Sequence, residues 1–105
     1  MKKDNSEHVL SLIRTLKFEF KELSSKKPND QVSTFKLKYV NQTIKAANEV
    51  LKENKPYNEF EEFKEEELPT NSDVLMILSL YLNAFWSWRR KKLKDTKSFY
   101  RSLFL

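Results

Sequence analysis

Few side chains in this sequence have the types and spacing for covalent or acid–base chemistry. The single histidine, His8, stands beside Glu7, and the chain has neither a cysteine nor a second histidine. It therefore lacks the partners for a metal site or a nucleophile–base pair, and its expected place is in solvent at the start of a helix. Glu61, Glu62, Glu65 and Glu66 have the i, i+4 spacing that gathers carboxylates on one side of a helix. Such a group suits a divalent cation or an acid–base pair, but no histidine and no turn glycine of a calcium loop accompanies it, which leaves a solvated acidic surface as the better expectation. The sequence contains no glycine at all, so a Walker loop, a Rossmann turn and a glycine-rich kinase loop are absent. These observations point to a non-enzymatic protein without cofactor or metal.

The remaining chemistry is charge combined with aromatic surface. Glu59 to Glu67 holds six glutamates against Lys64, and Arg89 to Arg101 holds seven basic residues against Asp95, in a chain whose net charge is +5. The basic block is interleaved with Trp86, Trp88, Phe99, Tyr100 and Phe104. Aromatic and arginine side chains are enriched at interface hot spots, so Trp86, Trp88, Arg89, Arg90, Phe99, Tyr100 and Phe104 are the candidate surface for a protein partner or a second copy. Arg89, Arg90, Lys91, Lys92, Lys94, Lys97 and Arg101 form the alternative, a set of phosphate contacts for nucleic acid. Against that alternative, no recognition-helix or RNA-binding signature is present, and the acidic block could fold over the tail and screen it. An interfacial helix on a membrane surface is a further, minor alternative.

The elements that must position these groups follow from the missing glycine and from three prolines, Pro28, Pro56 and Pro69. Without glycine the chain lacks the usual residue for positive φ, so loops should be few and most of the length helical. Val9, Leu12, Ile13, Leu16, Phe20 and Leu23 recur at helical spacing and predict a helix over about Ser6 to Leu23, capped by Ser6 or Asn5. A second helix is expected from a cap at Asp30 to Glu53, with Val32, Phe35, Tyr39, Val40, Ile44, Ala47, Val50 and Leu51 on one side. The period-two run Phe35–Tyr39 suits a strand locally, but no partner strand is visible and the helical stripe persists.

Asn58 to Leu68 reads either as a short acidic helix or as an extended loop pinned by Phe60 and Phe63. Thr70-Asn71-Ser72-Asp73 is a strong helix start. From Val74 to Trp88 only Ser79, Asn83 and Ser87 are not apolar, which predicts a helix central in a bundle. Fifteen residues rise about 22 Å, too short to span the roughly 30 Å of a bilayer's hydrocarbon core. A separate C-terminal helix is expected after Arg89.

The fold expected is a single-domain, all-α, antiparallel helical bundle of three long helices plus a C-terminal helix, with the Asn58–Pro69 connection crossing one end. Its core should hold Leu12, Leu16, Phe20, Phe35, Tyr39, Ile44, Leu51, Leu75, Leu78, Leu82 and Phe85. In size, basicity and helix count the chain is similar to the small four-helix immunity proteins that accompany bacteriocins, a likeness to which no motif contributes. The absence of cysteine, and a first segment without the apolar run of a signal peptide, lead to the expectation of a soluble intracellular protein, cytoplasmic or nuclear.

Overall fold

A computed structural model describes the backbone of residues 5–104 and the side chains of residues 5–93. The described residues form three α-helices and no strand: α1 (Ser6–Lys26), α2 (Thr34–Leu51) and α3 (Asn71–Phe104). Short 3₁₀ turns follow α2 at Lys52–Asn54 and precede α3 at Glu65–Glu67. The separate C-terminal helix expected from the sequence is not formed; the chain runs on as part of α3. The reason is visible in composition, since the last proline is Pro69 and no glycine follows it, so nothing breaks the i→i−4 ladder.

The start of α3 is held by the loop between α1 and α2. The first four N–H groups of a helix have no partner within it, and here each finds one elsewhere. Asn71 N–H donates to the Asp30 carbonyl at 2.9 Å, Ser72 N–H to the Pro28 carbonyl at 3.1 Å, and Val74 N–H to the Thr70 carbonyl at 3.1 Å. Asp73 N–H donates to Thr70 Oγ1 at 3.2 Å while Asp73 Oδ2 accepts from Thr70 N–H at 3.0 Å. That reciprocal pair is a capping box of the kind the Thr70–Asp73 sequence predicts. Asn71, itself buried, adds a side-chain bond to the Lys27 carbonyl at 2.8 Å.

The same loop explains why α2 starts late. Val32 N–H donates to the Pro69 carbonyl at 2.8 Å, and Gln31 pairs with Thr70 in an isolated antiparallel bridge. These bonds keep residues 30–32 out of the helix, and Ser33, not Asp30, caps α2 by accepting from Lys36 N–H at 3.2 Å. Helix α1 continues three residues beyond Leu23, with Ser25 Oγ bonding back to the Glu22 carbonyl at 3.1 Å.

The core is a stripe from each helix: Val9, Leu10, Ile13 and Phe20; Leu37, Val40, Ile44, Ala47 and Leu51; Val74, Ile77, Leu78, Tyr81 and Phe85, with Val32 from the loop. Burying each large apolar side chain contributes about 1.5–3 kcal/mol. Of the expected core, Phe20, Ile44, Leu51, Leu78 and Phe85 are buried, and Leu16, Leu75 and Leu82 pack on the core's edge. Leu12, Phe35 and Tyr39 are instead exposed, Phe35 by 70%. Two apolar rows overlap in α2: Leu37, Val40, Ile44, Ala47 and Leu51 at three- and four-residue steps face inward, and Phe35 with Tyr39 form a second row on the flank. Helix α3 is not enclosed either, because Met76, Asn83 and Ser87 face solvent. Its polar stripe lies on the open side, and Ser79 bonds to its own helix at the Leu75 carbonyl, 2.8 Å away.

Between the 3₁₀ turns the acidic segment is extended, and it runs along α2 where a crossing at one end was expected. The Asn41 amide takes both hydrogen-bonding groups of Phe63, donating to its carbonyl at 2.9 Å and accepting from its N–H at 3.0 Å. Two helical turns on, Asn48 donates to the Glu61 carbonyl at 3.3 Å and accepts from the Tyr81 hydroxyl of α3 at 2.5 Å. Lys45, between the two asparagines, pairs with Glu62 at 3.3 Å. Phe60 and Phe63 meet edge to face at 5.1 Å and pack against the core.

Two outcomes follow. Lys52, at φ 53° and ψ −118°, has the backbone of a glycine. Lys52→Gly should therefore raise the unfolding free energy by about 1 kcal/mol, read from the denaturation midpoint. Burial pushes the Tyr81 phenol above its ordinary 10.0. The neutral phenol is thus favoured in the folded protein, and the stability it confers is full below pH 10 and is lost as pH rises further. Tyr81→Phe should flatten that alkaline decline in denaturation experiments.

Candidate interaction surface

The second half of α3 presents the aromatic and basic residues within two turns. Trp88 is half-buried, its ring edge-to-face with Phe85 at 5.9 Å, so it belongs partly to the core. Trp86 is on the surface at 38% exposure, with the Arg89 guanidinium over its ring at 5.9 Å. Lys92 Nζ lies over the Trp88 ring at 4.2 Å. Cations over aromatic faces are attracted by the ring quadrupole, and here the contacts align long side chains that would otherwise be free to rotate.

The first turn of α1 completes the arrangement. Arg89 Nη2 lies 2.6 Å from Glu7 Oε1, which ties α1 to α3 at the opposite end from the Asn71–Lys27 bond. Both partners are substantially solvated, so the pair orients more than it stabilises. Between the helices is a cleft of about 200 Å³ lined by Ser6, Glu7, Leu10, Phe85, Trp88, Arg89, Lys92 and Leu93. Its floor is apolar and its rim charged, with Leu93 59% exposed at the edge. Arg90 bonds to Ser87 Oγ at 3.3 Å, and Lys91 reaches Asn54 Oδ1 beyond α2 at 3.4 Å.

The structure thus gathers Trp86, Trp88, Arg89 and Arg90 of the expected partner-binding set, with Trp88 less accessible than expected. Phe99, Tyr100 and Phe104, and Lys94, Lys97 and Arg101 of the alternative set, lie outside the residues whose side chains are described. Glu7 and Leu10 are new members. Nothing local marks them, because their role arises only when the start of α1 meets the middle of α3. The acidic block does not screen Arg89; its described contacts are to α2.

His8 is exposed in the first turn of α1. Among the described residues no group of three His, Cys, Asp or Glu side chains is placed to hold a metal ion, and no helix is long and apolar enough to cross a membrane. Comparison with known proteins gives no match to a family model, a curated protein or a solved structure. The helix count behind the likeness to four-helix immunity proteins also falls to three.

The two tryptophans should separate in a stability measurement. Trp88→Ala removes a ring packed on Phe85 and should lower the unfolding free energy by about 2–3 kcal/mol, whereas Trp86→Ala should change it by less than about 1 kcal/mol. Chemical denaturation followed by circular dichroism reads both.

Proposed function

We propose that this protein is a non-enzymatic interaction module that binds another protein through the Trp86–Leu93 turns of α3 and the adjoining cleft. The observation that supports this reading is Trp86 held on the surface beneath Arg89, which is itself oriented by Glu7. A ring and a guanidinium positioned before binding lose little conformational freedom on contact, which is what interface anchors require. The cleft accepts an apolar side chain on Leu10 and Phe85, and the cations around it favour a partner segment bearing carboxylates. An antiparallel bundle gives such a surface a rigid support, with regulation of the partner as its role.

Nucleic-acid binding is the second reading, favoured by the continuity of α3 through the whole basic block. The local contacts weigh against it. Arg89 is committed to Glu7, Lys91 reaches Asn54 and Lys92 lies over Trp88, and four consecutive cations point in four directions around a helix that turns 100° per residue. They do not form one row along a phosphate backbone.

Affinity capture with the wild type and with Trp86→Ala, Leu93→Ala and Arg90→Glu is the test. The captured protein should be lost with each variant while helicity is retained. Capture that is unchanged in all three would sink the assignment. A parallel titration with a mixed-sequence duplex separates the readings, because phosphate contacts give a log–log salt slope of about −0.9 per contact.

A further inference from the structure

A second exposed apolar surface lies away from α3, along the seam between α1 and α2. Leu16, Phe20 and Leu23 of α1 and Phe35 and Tyr39 of α2 line a hollow of about 250 Å³, edged by Glu19 and Lys36. Phe35 and Tyr39 meet edge to face at 5.2 Å, and yet they are 70% and 46% exposed. Leu12, one turn along α1 from Leu16, extends the strip and is 37% exposed. The opposite flank of α2 is covered by the acidic segment through Asn41 and Asn48; this flank has no such cover among the described residues. With aromatic side chains burying about 150–250 Å² each, the exposed part of the strip is on the order of 300 Å², the size at which surface patches are often functional.

We infer that this strip is the contact between two copies of the chain, related by a two-fold axis close to Leu23 and Phe35. Shape is the first argument: an outstanding ring, Phe35, borders a hollow that could take a ring of its size. Knob and hole side by side on one surface are used together in an isologous contact, where each Phe35 enters the partner's hollow. Charge is the second. Glu19 edges the hollow, Lys26 edges the adjoining one seven residues along the same side of α1, and Lys36 lies across the seam. The edge of the strip thus carries both signs of charge. None of these three side chains is ion-paired with a described residue. A second copy packed with α1 antiparallel to α1 sets each Glu19 opposite a Lys26, so that opposite charges meet twice across the axis.

A strip of this size supplies the apolar centre of an interface near the lower limit for specific association, about 600 Å² per partner. The dimer is accordingly weak and concentration-dependent. Sedimentation velocity over a concentration series tests it with the full chain. The wild type should show monomer–dimer exchange, and Phe35→Glu should weaken the dimer roughly tenfold or more with unchanged circular dichroism, since the ring is on the surface. Glu19→Lys should weaken it, and Glu19→Lys combined with Lys26→Glu should restore it, which only two copies facing each other can produce. A wild type that stays monomeric throughout, a dimer indifferent to Phe35→Glu, or a double variant no better than the single one overturns the inference. Trp86→Ala should leave the dimer intact; its loss there would move self-association to α3 and equally overturn this one.

Discussion

The structure depends on how the N-terminus of α3 is satisfied. A helix start is a cluster of unpaired donors, and burying one without acceptors costs free energy for each group left over. Here the acceptors come from the chain between α1 and α2, through the carbonyls of Pro28 and Asp30, and from the capping box at Thr70. One set of bonds thus caps the longest helix, fixes the path of the first loop and delays the start of α2. The core is assembled from stripes whose relative positions that junction sets.

Asparagine does comparable work on the other side of α2. Asn41 offers a donor and an acceptor at the spacing of a peptide group, and Phe63 accepts the offer as it would from a neighbouring strand. Asn48 then joins the acidic segment to Tyr81 of α3. A segment with six like charges would otherwise repel itself into solvent; it is held by its backbone and two phenylalanines, which leaves its carboxylates outside. No buried side-chain nitrogen or oxygen among the described residues lacks a partner, which is the condition for polar links at a core's margin to stabilise it.

Much of this was legible in the sequence. The absence of glycine, the helical spacing in α1 and the Thr70–Asp73 box led to an all-helical chain with its third helix correctly begun. Apart from the expected separate C-terminal helix, the errors share one physical source, that local signals do not say what covers a surface. Asp30 is a good cap in isolation, but its carbonyl is claimed by Asn71. Phe35 and Tyr39 are as apolar as Leu37 and Val40, and only the placing of α1 and α3 decides which row turns inward. Trp88 resembles Trp86 in sequence, and is distinguished by the ring of Phe85 beneath it. Glu7 could not be recognised as the partner of Arg89, because eighty-odd residues separate them and only the fold brings them together.

The continuity of α3 also makes its length a form of information. From Asn71 to Trp86 the helix rises about 22 Å, a distance fixed by residue count alone. One residue inserted in that interval would turn everything beyond it by 100° and carry Trp86 and Arg89 off the face that meets Glu7. The stretch from Lys55 to Glu59 is different, because its hold on α2 begins only at Glu61. Over generations the spacing within α3 should be kept residue for residue, while insertions and deletions collect just after α2.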